Sequence, residues 1–315
     1  MQNVPVQGTL TGPAGSKPKR KKVDYTLLFL ALPFVLFLFM FYYVQLFGWL
    51  YAFVDYKPGI GIFRQEFTGL SQFAKLFGTG SRFPVVFKNT LVYGVLGILA
   101  SPVPVLFAVL LSEVRNRKFS RLIQTFTSFP NFISWILVYS ICFMFFSTEG
   151  QVNMLLSSLG LMNEPSNLLG NADMAYLFQT LLGVWKGTGW SAIIYLAAIA
   201  GIDPELYDAA EIDGANRFQK VFHITLQSIK STYFVLLVLG ISGLMNAGFE
   251  QYYVFYNPLV SERLDVISTY VYRVGLGNGE ISFATAMGLS QSVISIILLF
   301  TVNRIARKVL GNSII

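Results

Sequence analysis

One cysteine and one histidine are all that 315 residues supply of the two side chains most used for metal binding and nucleophilic catalysis. Cys142 has no second thiol to pair with, so no disulfide forms within the chain, and redox compartment cannot be read from cysteine usage. A single histidine, His223, beside a single cysteine excludes HExxH, a Cys/His zinc cluster and a Cys–His nucleophile. The stretches "GTGSRF" and "GLGNGE" fit neither Walker A nor GxGxxG spacing, and no G-x-S-x-G occurs. Charge is scarce as well, at 12% of residues, where soluble domains carry about a quarter. The chain is therefore expected to be no enzyme, to hold no metal or cofactor, and to depend on a partner for any uphill work.

What is abundant is apolar, 54% of residues and 16% aromatic. These residues gather into six runs, about 27–54, 88–112, 124–147, 174–201, 231–249 and 282–303. Each reaches the roughly 20 helical residues that cross a hydrocarbon core of about 30 Å. Helices are the economical form, because lipid offers backbone N–H and C=O groups no partner. The expected fold is all-α, a polytopic membrane protein with six transmembrane helices.

Lys and Arg set the orientation. The N-terminal tail, the second and fourth loops and the C-terminal tail together carry 15 of them, from Lys17 to Lys308. The loops at 55–87, 148–173 and 250–281 carry six, with none in 148–173. Both termini and the acidic loop at 203–227 are thus expected in the cytoplasm, and the net charge of +7 is a topology signal, not a nucleic-acid footprint. In isolation "KPKRKKVD" resembles a nuclear-localisation cluster. Directly before a 28-residue apolar run it reads as a positive-inside anchor. That run is too long for a signal-peptide h-region. Residues 1–24 are read as a disordered basic cytoplasmic tail and 25–315 as one transmembrane domain. The loop at 55–87 has room for a short amphipathic element. "SPVP", Ser101–Pro104, should kink the second helix, either as a packing bend or because that helix lines a moving pathway.

The loop "DPELYDAAEIDGANRFQKVFHITLQ" holds five of the 16 acidic residues and the histidine. Asp203-Pro204 starts a helix, Asp as N-cap and Pro at the first helical position. Glu205 and Asp208 lie near its positive end. Leu206, Ala209 and Ala210 share one face, Glu205, Asp208 and Glu211 another, and Gly214 stops it. An amphipathic stretch with Arg217 and Lys220 follows. A short helix with a small-residue face and a charged face suits a groove on a cytoplasmic partner.

"YDAAEIDGANRFQKVFHITL" resembles the EAA motif of inner-membrane permeases of binding-protein-dependent ABC transporters, which reads EAA, three residues, Gly, nine residues, I-x-L-P. Asp208-Ala209-Ala210, Gly214, Ile224 and Leu226 match at these spacings; Asp208 stands for Glu and Gln227 for Pro. "ELYDAAEIDGA" has the form typical of sugar permeases. "SFPNFISWILV", "EGQVNMLLSSLG", "GWSAIIYLAAIAGI", "GFEQYYVFYNPLV" and "DVISTYVYRVGL" together resemble the LplB-type carbohydrate permeases.

The resemblance implies a maltose-permease-like transmembrane domain in a bacterial inner or plasma membrane. It would be paired with a second homologous permease, driven by two ATPase subunits that bind ATP and Mg, and fed by an extracellular or periplasmic solute-binding protein with an oligosaccharide. Its coupling contacts would be Glu205, Asp208, Ala209, Ala210, Asp213, Gly214, Arg217, Ile224 and Leu226.

Polar residues inside membrane helices tend to face a cavity or a partner, though amides also join helices and aromatics gather at interfaces. Asn246, Glu250 and Tyr253 share a helical face, with Gln251 beside them. Carboxylate and amide groups bond sugar hydroxyls, and aromatic rings stack on pyranose faces. Trp190, Tyr195, Tyr139 and Gln291 are further pathway candidates. Lys186 could pair with an anionic sugar or with Glu250. The rival readings are a gradient-driven secondary transporter, a membrane-embedded enzyme, and an ABC permease for another solute such as a glycerophosphodiester. A homodimer is the alternative to pairing with a second permease.

Overall fold

The computed structural model describes residues 26–161, 165–246 and 248–310, so the expected basic tail at 1–24 lies outside the described residues. The chain divides into two compact units, one ending at Gly48 and one beginning at Trp49. In the first, Thr26–Leu38 (α1) passes into a π-helical turn, Phe39–Tyr43, and then into the 3-10 stretch Val44–Phe53. Its large side chains are exposed on every side, from Phe29 at 73% to Phe47 at 63%. A helix apolar all round suits hydrocarbon, not water.

The second unit opens with a small antiparallel ladder, Val54–Asp55 (β1) against Glu66–Phe67 (β2), and the helix Ser71–Leu76 (α2). The short element anticipated in this loop is therefore a hairpin and a helix. Phe83–Ala100 (α3) and Pro102–Ser112 (α4) form one 30-residue apolar stretch. They divide at Ser101, where "SPVP" removes backbone donors, and the Ser101 hydroxyl lies 3.0 Å from that of Tyr233.

The third run is not the single helix expected over 124–147. Its first residues belong to Arg117–Ser128 (α5), followed by a 3-10 turn, Phe129–Phe132, and then Trp135–Phe146 (α6). Pro130 sits in that turn, and Ile133 and Ser134 are extended, so the helix ends and restarts with Ser134 as its new N-cap. Gln151–Ser158 (α7) follows, its preceding turn held by Asn153, which donates to the carbonyls of Ser147, Thr148 and Ser166.

Ala172–Ala200 (α8), capped by Asn171, has 29 residues and a length of about 44 Å. Pro204–Ile212 (α9) forms the acidic loop. Arg217–Lys220 (α10), a π-helical turn at Val221–Thr225 and Leu226–Ser242 (α11) make one 26-residue stretch. The fifth run, expected to reach 249, stops at Ser242, where Gly243 ends the helix; Phe249–Phe255 (α12) is separate. Ser261–Leu264 (α13), Ile267–Tyr272 (α14) and a π-helical turn at Arg273–Gly277 lead into Ile281–Leu310 (α15).

Among the described residues, five stretches are long and apolar enough to cross a membrane: Leu28–Phe53, Phe83–Ser112, Trp135–Ser158, Arg217–Ser242 and Ile281–Arg304. The remaining run, α8, has the length but buries Gln179, Lys186 and Thr188 within the protein. Packing is concentrated in three clusters, centred on Tyr93 with Phe255, on Met245 with Met287, and on Ala108 with Tyr195 and Ile229. Leu99, Leu110, Ile136, Ile297 and Phe300 stay more than half exposed, as side chains do where the solvent is itself apolar.

Candidate functional site

Local chemistry fixes α9 at both ends. The Asp203 carboxylate accepts from the Glu205 N–H at 3.0 Å, and Pro204 takes the first helical position. At the other end Gly214 has φ +76°, in the left-handed region. The Ala215 N–H donates to the Ala210 carbonyl at 2.9 Å and the Gly214 N–H to that of Glu211 at 3.1 Å, the paired bonds of a Schellman motif. Asn216 then starts α10 with a capping box to Gln219.

The two arms of this turn are tied together. Lys220 donates to Glu211 at 2.7 Å, and this contact holds the Glu211 carboxyl below its ordinary pKa. The Tyr207 hydroxyl meets that of Thr225 at 2.9 Å. Arg217 reaches the carboxylate and the backbone carbonyl of Glu113, at the end of α4. The candidate coupling residues therefore fall into two groups. Glu205, Asp208, Ala209, Asp213 and Gly214 are exposed, together with Leu206 and with Ile212 at 87%. Ala210, Ile224 and Leu226 are half-buried, Leu226 packs against the Ile229 cluster, and Arg217 is engaged within the chain.

Between α3, α4, α8, α11 and α12 lies a cavity of about 540 Å³. Glycines make the room: Gly94 and Gly97 on α3, Gly183 and Gly187 on α8, Gly240 and Gly243 at the end of α11. Ser101, Gln179, Thr188, Ser191, Tyr195, Tyr233 and Gln251 supply hydrogen-bonding groups, and no lining side chain is charged. Ser101 and Pro104 of the "SPVP" break both line it, so the bend borders the cavity.

The pathway candidates separate into different environments. Gln251 and Tyr195 are buried and line the cavity, Gln251 donating to the Gln179 carbonyl at 2.9 Å and to its side chain at 2.8 Å. Gln291 donates to the Met245 carbonyl at 2.6 Å and to Asn246 at 3.2 Å. Asn246, Glu250 and Tyr253 are all exposed, although Asn246 precedes α12 and so is not on one helix with the other two. Tyr139 goes to the apolar interior instead, its ring edge-on to Phe255 at 5.1 Å. Trp190 meets Phe132 edge-on at 5.5 Å.

Lys186 donates to the Pro130 carbonyl at 3.1 Å and the Asn131 carbonyl at 2.8 Å, with its ammonium 5.4 Å from the Trp135 ring centre. Among the described residues no carboxylate lies within ion-pair distance of it. The half-exposed rings of Phe249 and Tyr272, packed beside Tyr253, were not among the candidates. Tyr272 is 19 residues beyond Tyr253 in sequence, on another short helix, so no local spacing links them.

The pattern of the family described as "Binding-protein-dependent transport system inner membrane component" matches residues 95–311. The chain belongs to this family. The match takes in α4, the whole acidic turn, the cavity's α8 and α11 walls and all of α15. The permease is 42% identical over 289 residues to Protein LplB of Bacillus subtilis (strain 168), covering 91% of this chain and 90% of that one. It is 39% identical over 300 residues to the polygalacturonan/rhamnogalacturonan transport system permease protein YteP of the same organism, covering 93% and 92%. A solved bacterial ABC transporter involved in the import of the acidic polysaccharide alginate contains a chain of the same fold. Its TM-score is 0.82 and its identity 33%, over 91% of this chain and 96% of that one.

Proposed function

We propose that this permease is the membrane subunit of an ATP-driven ABC importer for oligosaccharides, lying in a bacterial plasma membrane with both termini in the cytoplasm. The single observation that carries the reading is α9. It is capped at both ends and tied by Tyr207 to the π-helical turn before α11, yet it leaves Asp208, Ala209 and Gly214 of the EAA motif uncovered, with Glu205 and Ile212 beside them. A rigid helix with an open acidic and small-residue face is a docking element for a grooved protein.

In this reading two ATPase subunits receive α9 and its counterpart on a second, related permease. ATP and Mg belong to those subunits, and this chain performs no chemistry. A solute-binding protein delivers the cargo. The sugar assignment is supported by the transport names of the relatives and by an uncharged, mostly apolar cavity that carries several hydroxyl and amide groups. A gradient-driven transporter finds less support: Asp265 is the one buried carboxylate among the described residues, and it is bound to Arg273 and Thr269.

Purification of the tagged chain from its native host in mild detergent tests the proposal. Recovery of an ATPase with a second permease is expected. A chain that purifies alone and moves solute in liposomes without ATP would overturn it.

A further inference from the structure

The short helix α12 has two faces of different chemistry. On one, Gln251 and Tyr252 are buried and form part of the cavity wall. On the other, Phe249 and Tyr253 pack with Tyr272 of α14 into a triangle of rings, with centroids 5.0, 5.1 and 5.3 Å apart. Phe249 is 36% exposed, Tyr253 47% and Tyr272 42%. Glu250 is exposed beside them, within electrostatic reach of Lys186 but not in direct contact with it. The segment entering the helix adds Asn246, whose amide is bonded to Gln291.

The mixture narrows what covers this surface. A carboxylate facing hydrocarbon is expensive even with the Lys186 ammonium within electrostatic reach, so the face is not simply lipid-exposed. An apolar protein partner would have to bury the same carboxylate with no hydrogen bond to it. A sugar ring satisfies both halves at once, because its C–H face stacks on aromatic rings while its hydroxyls donate to a carboxylate. We propose that Phe249, Tyr253, Tyr272 and Glu250 form a reception station for a pyranose ring, on the opposite side of α12 from the cavity. The inference rests on the importer reading and adds to it a second place on the pathway, one helix away from the first. Tyr253 and Tyr272 supply rings there, and their hydroxyls are dispensable.

The test uses the whole complex, with its ATPases, second permease and binding protein, reconstituted in proteoliposomes. The probes are xylo-, arabino-, malto- and galacturono-tetraose. With whichever sugar stimulates the wild type, the paired variant Tyr253→Ala/Tyr272→Ala should lower sugar-stimulated transport about tenfold. The corresponding pair Tyr253→Phe/Tyr272→Phe, which keeps both rings, should recover the transport that the alanine pair loses, and all complexes should co-purify intact. Unchanged transport in the alanine pair would overturn the station. Loss of the second permease from the alanine complex would also overturn it, and would assign the rings to a subunit contact. A wild-type complex stimulated by no probe would remove the sugar-importer reading, and this inference with it.

Discussion

A lysine ammonium buried on a long, largely apolar helix must be met by polar partners, and Lys186 finds two in the carbonyls of Pro130 and Asn131. Both carbonyls lie where the helical segment ends, and that of Pro130 also takes the Ile133 N–H at 3.2 Å, so the break supplies the acceptors that the lysine needs. A cation at the end of a helical segment also meets the negative end of its dipole. One turn on, Gly189 lets the same break approach α8. A Cβ on it would lie 2.2 Å from the Thr127 carbonyl oxygen, whereas a Cβ on Gly187 would meet nothing within 4 Å. Gly189→Ala should therefore destabilise the protein by about 1–3 kcal/mol through overpacking. Gly187→Ala should be neutral or stabilising by up to about 1 kcal/mol, alanine being the better helix former. Thermal unfolding in detergent distinguishes the two. The sequence left open whether Lys186 faces an anionic sugar or Glu250. Main-chain carbonyls could not be named as its partners without knowing where the third run breaks.

Caps written in adjacent residues govern the elements. Asp203-Pro204 and Gly214 bound α9 as their chemistry requires, and this part of the site was legible because every interaction spans only a few residues. The end of α11 was harder to see. Apolar residues continue beyond Gly243, and hydrophobicity alone does not distinguish one helix from two short ones. Gly214 has open space for a side chain, so the cost of substitution there is conformational, about 1–2 kcal/mol for a left-handed L-residue. Gly214→Asn should retain transport, since Asn tolerates this region. Gly214→Val should leave the membrane part folded but lower the transport obtained per ATP hydrolysed. Parallel assays of uptake and hydrolysis in proteoliposomes check both variants, and equal coupling in the valine variant would remove α9 from the docking role. The Glu211–Lys220 tether follows the sign of a lowered carboxyl pKa: it is present at neutral pH and lost as pH falls through that lowered value. Both groups being accessible to water, salt weakens it.

Across the whole molecule, the proposed topology puts the Lys- and Arg-rich loops at the cytoplasmic end, and the ties between elements fall into two matching groups. Arg217–Glu113 and Lys220–Glu211 hold the acidic turn at one end. Arg263–Asp173 and Arg273–Asp265 hold the loops around α13 and α14 at the other. With Cys142 replaced, a cysteine at Ser158 should react with an impermeant thiol reagent in intact cells. A cysteine at Gln219 should react only after permeabilisation. The reverse pattern would invert the topology. Five membrane-crossing stretches were foreshadowed by apolar runs at this scale, because lipid demands length and composition, both of which a sequence displays directly. The cavity was not plain, since its six glycines come from three separate helices and none marks a local motif.

Those glycines also give the permease a means of calibration. At Gly97, Gly187 and Gly240 an added methyl would touch no neighbour within 4 Å, yet all three positions border the cavity. Methyl groups can thus be planted there singly or together, narrowing the bore in steps without displacing the walls. The step at which cargo ceases to pass would gauge its girth.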